Sequence, residues 1–370
     1  MLINVQFLRF AAALAVVFYH ASKHLQATGA DPGWLFAAGE AAGFAGVDVF
    51  FVISGFIMFY TTRQATGAAA AADFLKRRLA RIYSGYWPFF LAAVAVFAWA
   101  RPEHFAEADL FTSLLLWPMP LNRVLLDVSW TLTFEMYFYL LFAVLVLTGI
   151  RARTWLVAVM VVLVTAVNLA RHFLWQDFSP ERFYTHSFAS NFLVSPLLLE
   201  FFLGALLGAL VRAEPRPGAA HPAPAPAAPI FAAGLIGFAG AGYVHSSIYQ
   251  GGIEQGYHVV PRVLLFGLPS ALILLGLVGL ERSGWIAPRR FSLNTGGASY
   301  AIYLCHTIFL VASMKLGLNH ALTGQPDPLV QIIFLTYCAL ITVFSVAWYR
   351  YAERPLHRAF KRALRVRRAG

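Results

Sequence analysis

The stretch NVQFLRFAAALAVVFYHA, residues 4–21, decides the fold class. Its apolar run suits a membrane-crossing helix, since about 20 residues rising 1.5 Å each cover the roughly 30 Å hydrocarbon core. Two ionisable residues interrupt the run, Arg9 and His20, eleven positions apart. At about 100° per residue, an eleven-residue step returns to nearly the same helix face, roughly 16 Å further along the axis. One membrane helix therefore carries a guanidinium near one end and an imidazole deeper in, facing the same way. An ionisable side chain at bilayer depth is disfavoured, by about 2.5–3.5 kcal/mol for Arg or Asp at a helix centre. The pair is explained either by a snorkelling Arg with a hydrogen-bonded His, or by a functional cavity.

Similar runs recur along the whole chain of 370 residues. Ten spans are predicted: 5–24, 43–62, 84–100, 129–149, 154–170, 193–212, 229–245, 262–280, 296–317 and 329–349. The composition agrees, with 59% hydrophobic and 12% charged residues and a mean hydropathy of +0.66. A soluble domain carries about twice that charged fraction. The expectation is an all-α, polytopic membrane bundle over residues 1–350, followed by a basic tail, 351–370. Leu110–Trp117 is too short to span and precedes Pro118 and Pro120, so it reads as an interfacial piece. AEPRPGAAHPAPAPAAP, residues 213–229, reads as an extended linker, and Ala68–Ala72 as a bland loop or helix start.

On that topology twenty of the 28 Lys and Arg residues fall on the side shared by both termini, and seven on the other. The positive-inside rule then makes both termini cytoplasmic. The net charge of +11 reflects topology and contact with anionic lipid, and no nucleic-acid partner is expected. The first span has no small-residue cleavage site and is expected to be retained. Cys305 and Cys338 fall inside spans and read as packing residues, with no metal or disulfide framework.

Depth along each span brings several costly groups into one layer. His20, Asp48, Glu135 and Glu200 lie in the outer half, and His306 near the middle. Arg9, Asp48, Glu135 and Glu200 together imply on the order of 10–14 kcal/mol of insertion cost unless paired or hydrated. Helix packing alone is achieved more cheaply by small residues, so a hydrated functional cavity is the better reading. At the start of the third span, Arg78 and Arg81 share a helix face. They serve as ordinary inner-face anchors or as a two-pronged phosphate clamp. Trp130, Tyr137 and Tyr139 fit an aromatic belt. Ser299, Tyr303 and His306 follow i, i+4, i+7 and share a face. Ser54-Gly55 lies within a helix and is no nucleophile elbow. Ionisable groups at depth also suit a proton-coupled transporter of a glycan or small metabolite, although no inverted repeat is visible.

Several blocks carry a family resemblance: LRFAAALAVVFYH (8–20), GVDVFFVISGFIM (46–58), FLKRRLARIY (74–83), SWTLTFEMYFY (129–139), SYAIYLCH (299–306) and AERP (352–355). In order and spacing the chain resembles the acyltransferase-3 family of integral membrane acyltransferases, in its stand-alone form. One departure is Ser84, where members often have Pro. The resemblance implies transfer of an acyl group, usually acetyl, from cytoplasmic acyl-CoA to a hydroxyl of a carbohydrate acceptor. Typical acceptors are O-antigen, exopolysaccharide or another lipid-linked glycan, and the setting is the bacterial inner membrane. Acyl-CoA is then a co-substrate, expected on Arg78, Arg81 and Arg9, and no permanent cofactor is expected. His20 becomes the candidate general base, with an unperturbed pKa of about 6.5 near working pH. Asp48 or Glu135 would orient it, while Trp130, Tyr139 and His306 become candidates for contacting the acceptor. Direct transfer and an acyl-enzyme both remain open, and the absence of a recognisable Ser or Cys nucleophile favours direct transfer.

The topology predicts that a reporter fused after Gly370 reads out as cytoplasmic. A periplasmic readout overturns the orientation and the depth assignments with it.

Overall fold

The computed structural model describes residues 2–26, 33–170, 192–211, 226–249, 259–318, 320–325 and 327–366. Nine helices among them are long and apolar enough to cross a membrane: Ile3–Gln26, Phe36–Thr61, Ala68–Ala100, Asp127–Val146, Ile150–Ala170, Ala227–Ser247, Val260–Arg282, Arg289–Lys315 and Pro328–Ala363. A tenth apolar helix, Leu197–Leu210, occupies the expected sixth span. Its 14 residues rise about 21 Å, short of the hydrocarbon thickness. Each of the ten expected spans thus meets a helix, and all regular structure among the described residues is helical. Most of the expected linker, 213–225, lies outside the described residues. Its end does not stay extended, because the next helix begins at Ala227. Arg171, Arg182, Arg212, Arg216 and the last four residues of the tail also lie outside.

Two helices overshoot the membrane. Ala68–Ala100 has 33 residues, about 50 Å at the α-helical rise, so the basic cluster Lys76–Arg81 precedes the membrane-crossing half. Ala68–Ala72 belongs to the start of this helix. At the other end of the chain, Asp327–Trp348 already rises about 33 Å over 22 residues. A π-helical turn, Tyr349–Glu353, continues it into the helix Arg354–Ala363. Leu110–Leu115 is a six-residue helix, as its length and flanking prolines require. Asp109 caps it by accepting the Thr112 amide at 2.9 Å, and this bond holds the Asp109 carboxyl below its ordinary range. Leu116 ends it in the left-handed region at φ 55°.

The chain divides into two compact units. The first comprises Met1–Arg9, Val47–Leu75 and Tyr137–Leu293. Its helices Gly46–Thr61 and Leu197–Leu210 meet backbone to backbone, as glycine permits in membrane interfaces. A Cβ on Gly55 would lie 1.8 Å from the Phe201 carbonyl oxygen, and one on Gly204 would lie 1.9 Å from that of Val52. Gly208, four residues after Gly204, makes the same approach to Phe56. The free amides at the start of Ile3–Gln26 are satisfied by Glu281, whose two carboxylate oxygens accept from Ile3 and Asn4, each at 2.8 Å.

Arg153, fully buried in this unit, is held without a carboxylate by donating to oxygens. Nε reaches Leu145, Nη1 reaches Thr62 and its hydroxyl, and Nη2 reaches Ala65 and Thr148, at 2.6–3.1 Å. These acceptors lie at the ends of Gly46–Thr61 and Trp130–Val146, where helix dipoles favour a cation.

The second unit comprises Phe10–Gly46, Lys76–Met136 and Asn294–Gly370. Gly43 and Gly46 press on the first helix, with ideal Cβ positions 2.6 Å from the Ala15 carbonyl oxygen and 2.3 Å from that of Ala12. Gly85 and Gly297 receive the rings of Tyr300 and Tyr349 at 2.4 and 2.5 Å from where a Cβ would be.

A Gly55→Ala variant is expected to lose about 1–3 kcal/mol of stability through overpacking, read as an earlier thermal melt in detergent. Gly240→Ala, where nothing lies within 4 Å of the added methyl, is expected to melt no earlier than the wild type. Equal melts for the two variants count against close approach at Gly55.

Candidate active site

Two clusters on separate units answer the expectations for His20 and Asp48. In the second unit, His20 Nδ1 stands 3.0 Å from the Val16 carbonyl oxygen and 3.2 Å from His306 Nε2. His306 is fully buried, and its Nδ1 lies 3.2 Å from the Ile302 carbonyl oxygen. A carbonyl only accepts, so neutral His306 carries its proton on Nδ1 and presents a lone pair at Nε2. His20 then donates from Nδ1 to Val16 and His306, and its own lone pair sits on Nε2. The pair thus fixes one tautomer for both rings.

The surroundings hold His306 in place. Tyr337 donates to the His306 carbonyl oxygen at 3.0 Å. Tyr303, one turn earlier on the same helix, packs its ring 6.0 Å from that of His306. Its hydroxyl donates to the Val128 carbonyl oxygen at 3.0 Å and accepts from Thr131 at 2.9 Å. Glu135 is half-buried and lies four residues after Thr131, hence on the same helix face. The face predicted for Ser299, Tyr303 and His306 is therefore a hydrogen-bonded one, and His306 turns its Nε2 to His20.

In the first unit, Asp48 is buried and engaged by Arg262. Arg262 Nε donates to Oδ1 at 2.9 Å, and Nη2 to Oδ2 at 2.8 Å. This is a fork-on-carboxylate geometry, the strongest form of such a pair. Glu200 is buried within electrostatic reach of both partners. Its carboxylate packs on Gly267, where a Cβ would lie 3.2 Å from Oε1. Gly267 closes a π-helical turn, Val263–Gly267, directly after Arg262; such turns occur frequently at functional sites. Sequence reasoning assigns Arg262 no role beyond the first position of the predicted span 262–280. The available signal was its place at the start of the apolar run PRVLLFG, residues 261–267.

The remaining candidates take separate positions. Arg81 donates from Nη1 to Oε1 of Glu353, a fully buried carboxylate, and its guanidinium lies 5.2 Å over the Tyr300 ring. Glu353 belongs to the AERP block and had no role assigned from sequence. Arg78 is half-buried. Arg9, also half-buried, stands 3.4 Å from Gln6 Oε1. Tyr139 is buried with its ring edge-on to Phe74 at 6.4 Å, and Trp130 packs edge-on to Phe134 at 5.8 Å. Ser84 is buried within a continuous helix, its Oγ 3.2 Å from His357 Nδ1.

Removing one partner of a buried pair leaves an uncompensated charge and typically costs about 3–5 kcal/mol. Arg262→Leu is expected to destabilise the protein by that order. Adding Asp48→Asn to Arg262→Leu should recover part of the loss. If the double variant melts earlier than Arg262→Leu alone, the pairing does not account for Arg262.

The family model described as an acyltransferase domain, of the acyltransferase-3 type, matches residues 2–350. The exopolysaccharide production protein ExoZ of Rhizobium meliloti (strain 1021) is 30% identical over 333 residues, covering 85% of this chain and 90% of that protein. No solved structure matches the chain. Intramembrane ionisable groups alone left a transporter open; the length of the family match sets that reading aside. The chain belongs to the acyltransferase-3 family and is a multi-pass membrane acyltransferase.

Proposed function

We propose that this acyltransferase moves an acetyl group from cytoplasmic acyl-CoA to a hydroxyl of an exopolysaccharide or its lipid-linked precursor in the bacterial inner membrane. The acceptor class follows the name of the relative from Rhizobium meliloti, a protein of exopolysaccharide production. The observation that carries the chemistry is the contact of 3.2 Å between His20 Nδ1 and His306 Nε2.

In this reading His20 is the general base. With its proton fixed on Nδ1, the lone pair on Nε2 takes the proton of the acceptor hydroxyl as that oxygen attacks the thioester carbonyl. The carbon–sulfur bond breaks, and the proton passes from His20 to the departing thiolate, giving an ester and free CoA. The imidazolium formed meanwhile is stabilised through Nδ1–H by the Val16 carbonyl oxygen. His306 acts as a positioning residue, in the role a carboxylate plays in a hydrolase triad. Glu135, on the face that carries Thr131, assists on the acceptor side. Trp130 contributes aromatic packing on the same helix, and Tyr139 does so within its own unit. Asp48 acts through its pair with Arg262 to hold its own unit. Arg78, Arg81 and Arg9 attract the polyanionic donor.

Purified protein should release free thiol from acetyl-CoA in step with acetylation of the polysaccharide. Failure with acetyl-, propionyl- and succinyl-CoA alike overturns the donor class. Loss of a positioned base typically lowers the rate by about 10²–10⁴, so His20→Ala and His20→Gln should both be nearly inactive while donor binding persists. His306→Leu should lower kcat by at least about tenfold with little change in KM for the donor. His306→Gln keeps an acceptor and should regain part of that loss. Near-normal turnover by either His20 variant, at equal expression, excludes it as the base.

A further inference from the structure

We propose that the cavity beside Arg81 binds the phosphate end of the acyl donor, and that the C-terminal helix supplies half of that site. The proposal rests on acyl-CoA as donor and adds residues that neither the sequence motifs nor the family match assigns. The cavity is about 280 Å³ and is lined by Arg81, Tyr349, Glu353, Arg354, His357 and Arg358.

Charge points to an anion. Three guanidiniums converge on a wall that holds one carboxylate, an excess of two positive charges; burial lowers the pKa of the His357 imidazole to about 4, so it stays neutral and adds none. Glu353 commits Oε1 to Arg81. Arg354 lies 5.9 Å over the Tyr349 ring, and Arg358 Nε stands 3.4 Å from the Arg354 carbonyl oxygen. Neither contact neutralises a charge. Planar guanidiniums matched to phosphate oxygens would.

Polarity points to a nucleotide rather than a bare phosphate. Glu353 Oε2 is buried in the wall and has no hydrogen-bond partner among the described residues. A buried carboxylate oxygen needs a donor, which a ribose hydroxyl or an exocyclic amine provides and a phosphate dianion does not. The volume falls just below the range of about 300–1,000 Å³ for clefts that hold a whole small ligand. That suits one end of CoA, the phosphorylated ribose, and not the whole molecule.

Position and rigidity agree. Asp327–Trp348 uses up the hydrocarbon thickness before the cavity begins, so a soluble polyanion can reach it. The site is braced: the Tyr349 ring seats on Gly297, and His357 Nδ1 lies 3.3 Å from the Ala80 carbonyl oxygen and 3.2 Å from Ser84 Oγ. This ties the terminal helix to the helix that carries Arg81.

The test measures binding of CoA and of adenosine 3′,5′-bisphosphate to the full chain in detergent, for wild type, Arg358→Ala, Arg358→Lys and Arg354→Ala/Arg358→Ala. Hydrogen bonds to charged groups are worth enough to change affinity by about tenfold each. The double variant should therefore weaken both ligands by well over tenfold, with Arg358→Lys intermediate and the thermal melt of Arg358→Ala unchanged. The bisphosphate should displace CoA from wild type. Unchanged affinities in the double variant overturn the site while leaving acyl-CoA as donor intact. Competition by phosphatidylglycerol vesicles but not by the bisphosphate also overturns it, in favour of a lipid headgroup. If CoA neither binds wild type nor supports transfer, the donor reading falls and this site with it.

Discussion

A polar group within hydrocarbon has no water to turn to, so its partners must come from the chain. Burial within the protein makes the same demand, and three guanidiniums meet it in three ways here. Arg153 is caged by main-chain and hydroxyl oxygens at helix ends, a purely structural solution that fixes where helices stop. Arg262 is neutralised by Asp48 in a two-pronged contact next to a third ionisable group, Glu200. Arg81 shares Glu353 with a cavity rich in further cations. The first arrangement is closed, while the latter two leave charge or hydrogen-bonding capacity for something else. Function is expected where satisfaction is incomplete.

Close approach of backbones makes such placement reproducible. Gly55, Gly204 and Gly208 bring two helices of the first unit into direct contact, and Gly43 and Gly46 do the same for the first helix in the second unit. Side chains then have little freedom to vary. His306 is fixed by a carbonyl at one ring nitrogen, by His20 at the other and by Tyr337 at its own carbonyl. On the proposed mechanism, a carbonyl and a second imidazole set the tautomer of His20, where a serine hydrolase triad uses a carboxylate.

The helices were readable because an apolar run of span length has few alternatives in a chain of this composition. Even the Gly/Ala-rich run 229–245 met the helix Ala227–Ser247. The short piece Leu110–Leu115 was equally legible, from its length and the prolines that follow, though its cap at Asp109 was not. The pairs across sequence were not. Asp48 and Arg262 lie 214 residues apart, and Arg81 and Glu353 lie 272 apart. Helical periodicity gives the face of a residue but not the helix opposite it. The sequence leaves Asp48 and Glu135 as alternatives beside His20 and gives no sign of the Arg262 guanidinium that holds both oxygens of Asp48. His306 was seen as a lone imidazole near mid-membrane because its contact with His20 spans 286 residues. Family blocks, AERP among them, mark segments without saying which member of each block faces inward.

The π-helical turn Tyr349–Glu353 has a consequence of phase. It holds one residue more than an α-helix uses, and each residue corresponds to about 100° of rotation. Every side chain beyond it is therefore turned by nearly a third of a circle relative to an uninterrupted helix. Arg354, His357 and Arg358 face the Arg81 wall because of that offset. A relative with the same basic tail but one residue fewer in this turn would carry the same charges out of register, turned away from the Arg81 wall. In this part of the chain the length of a helix encodes direction as well as reach.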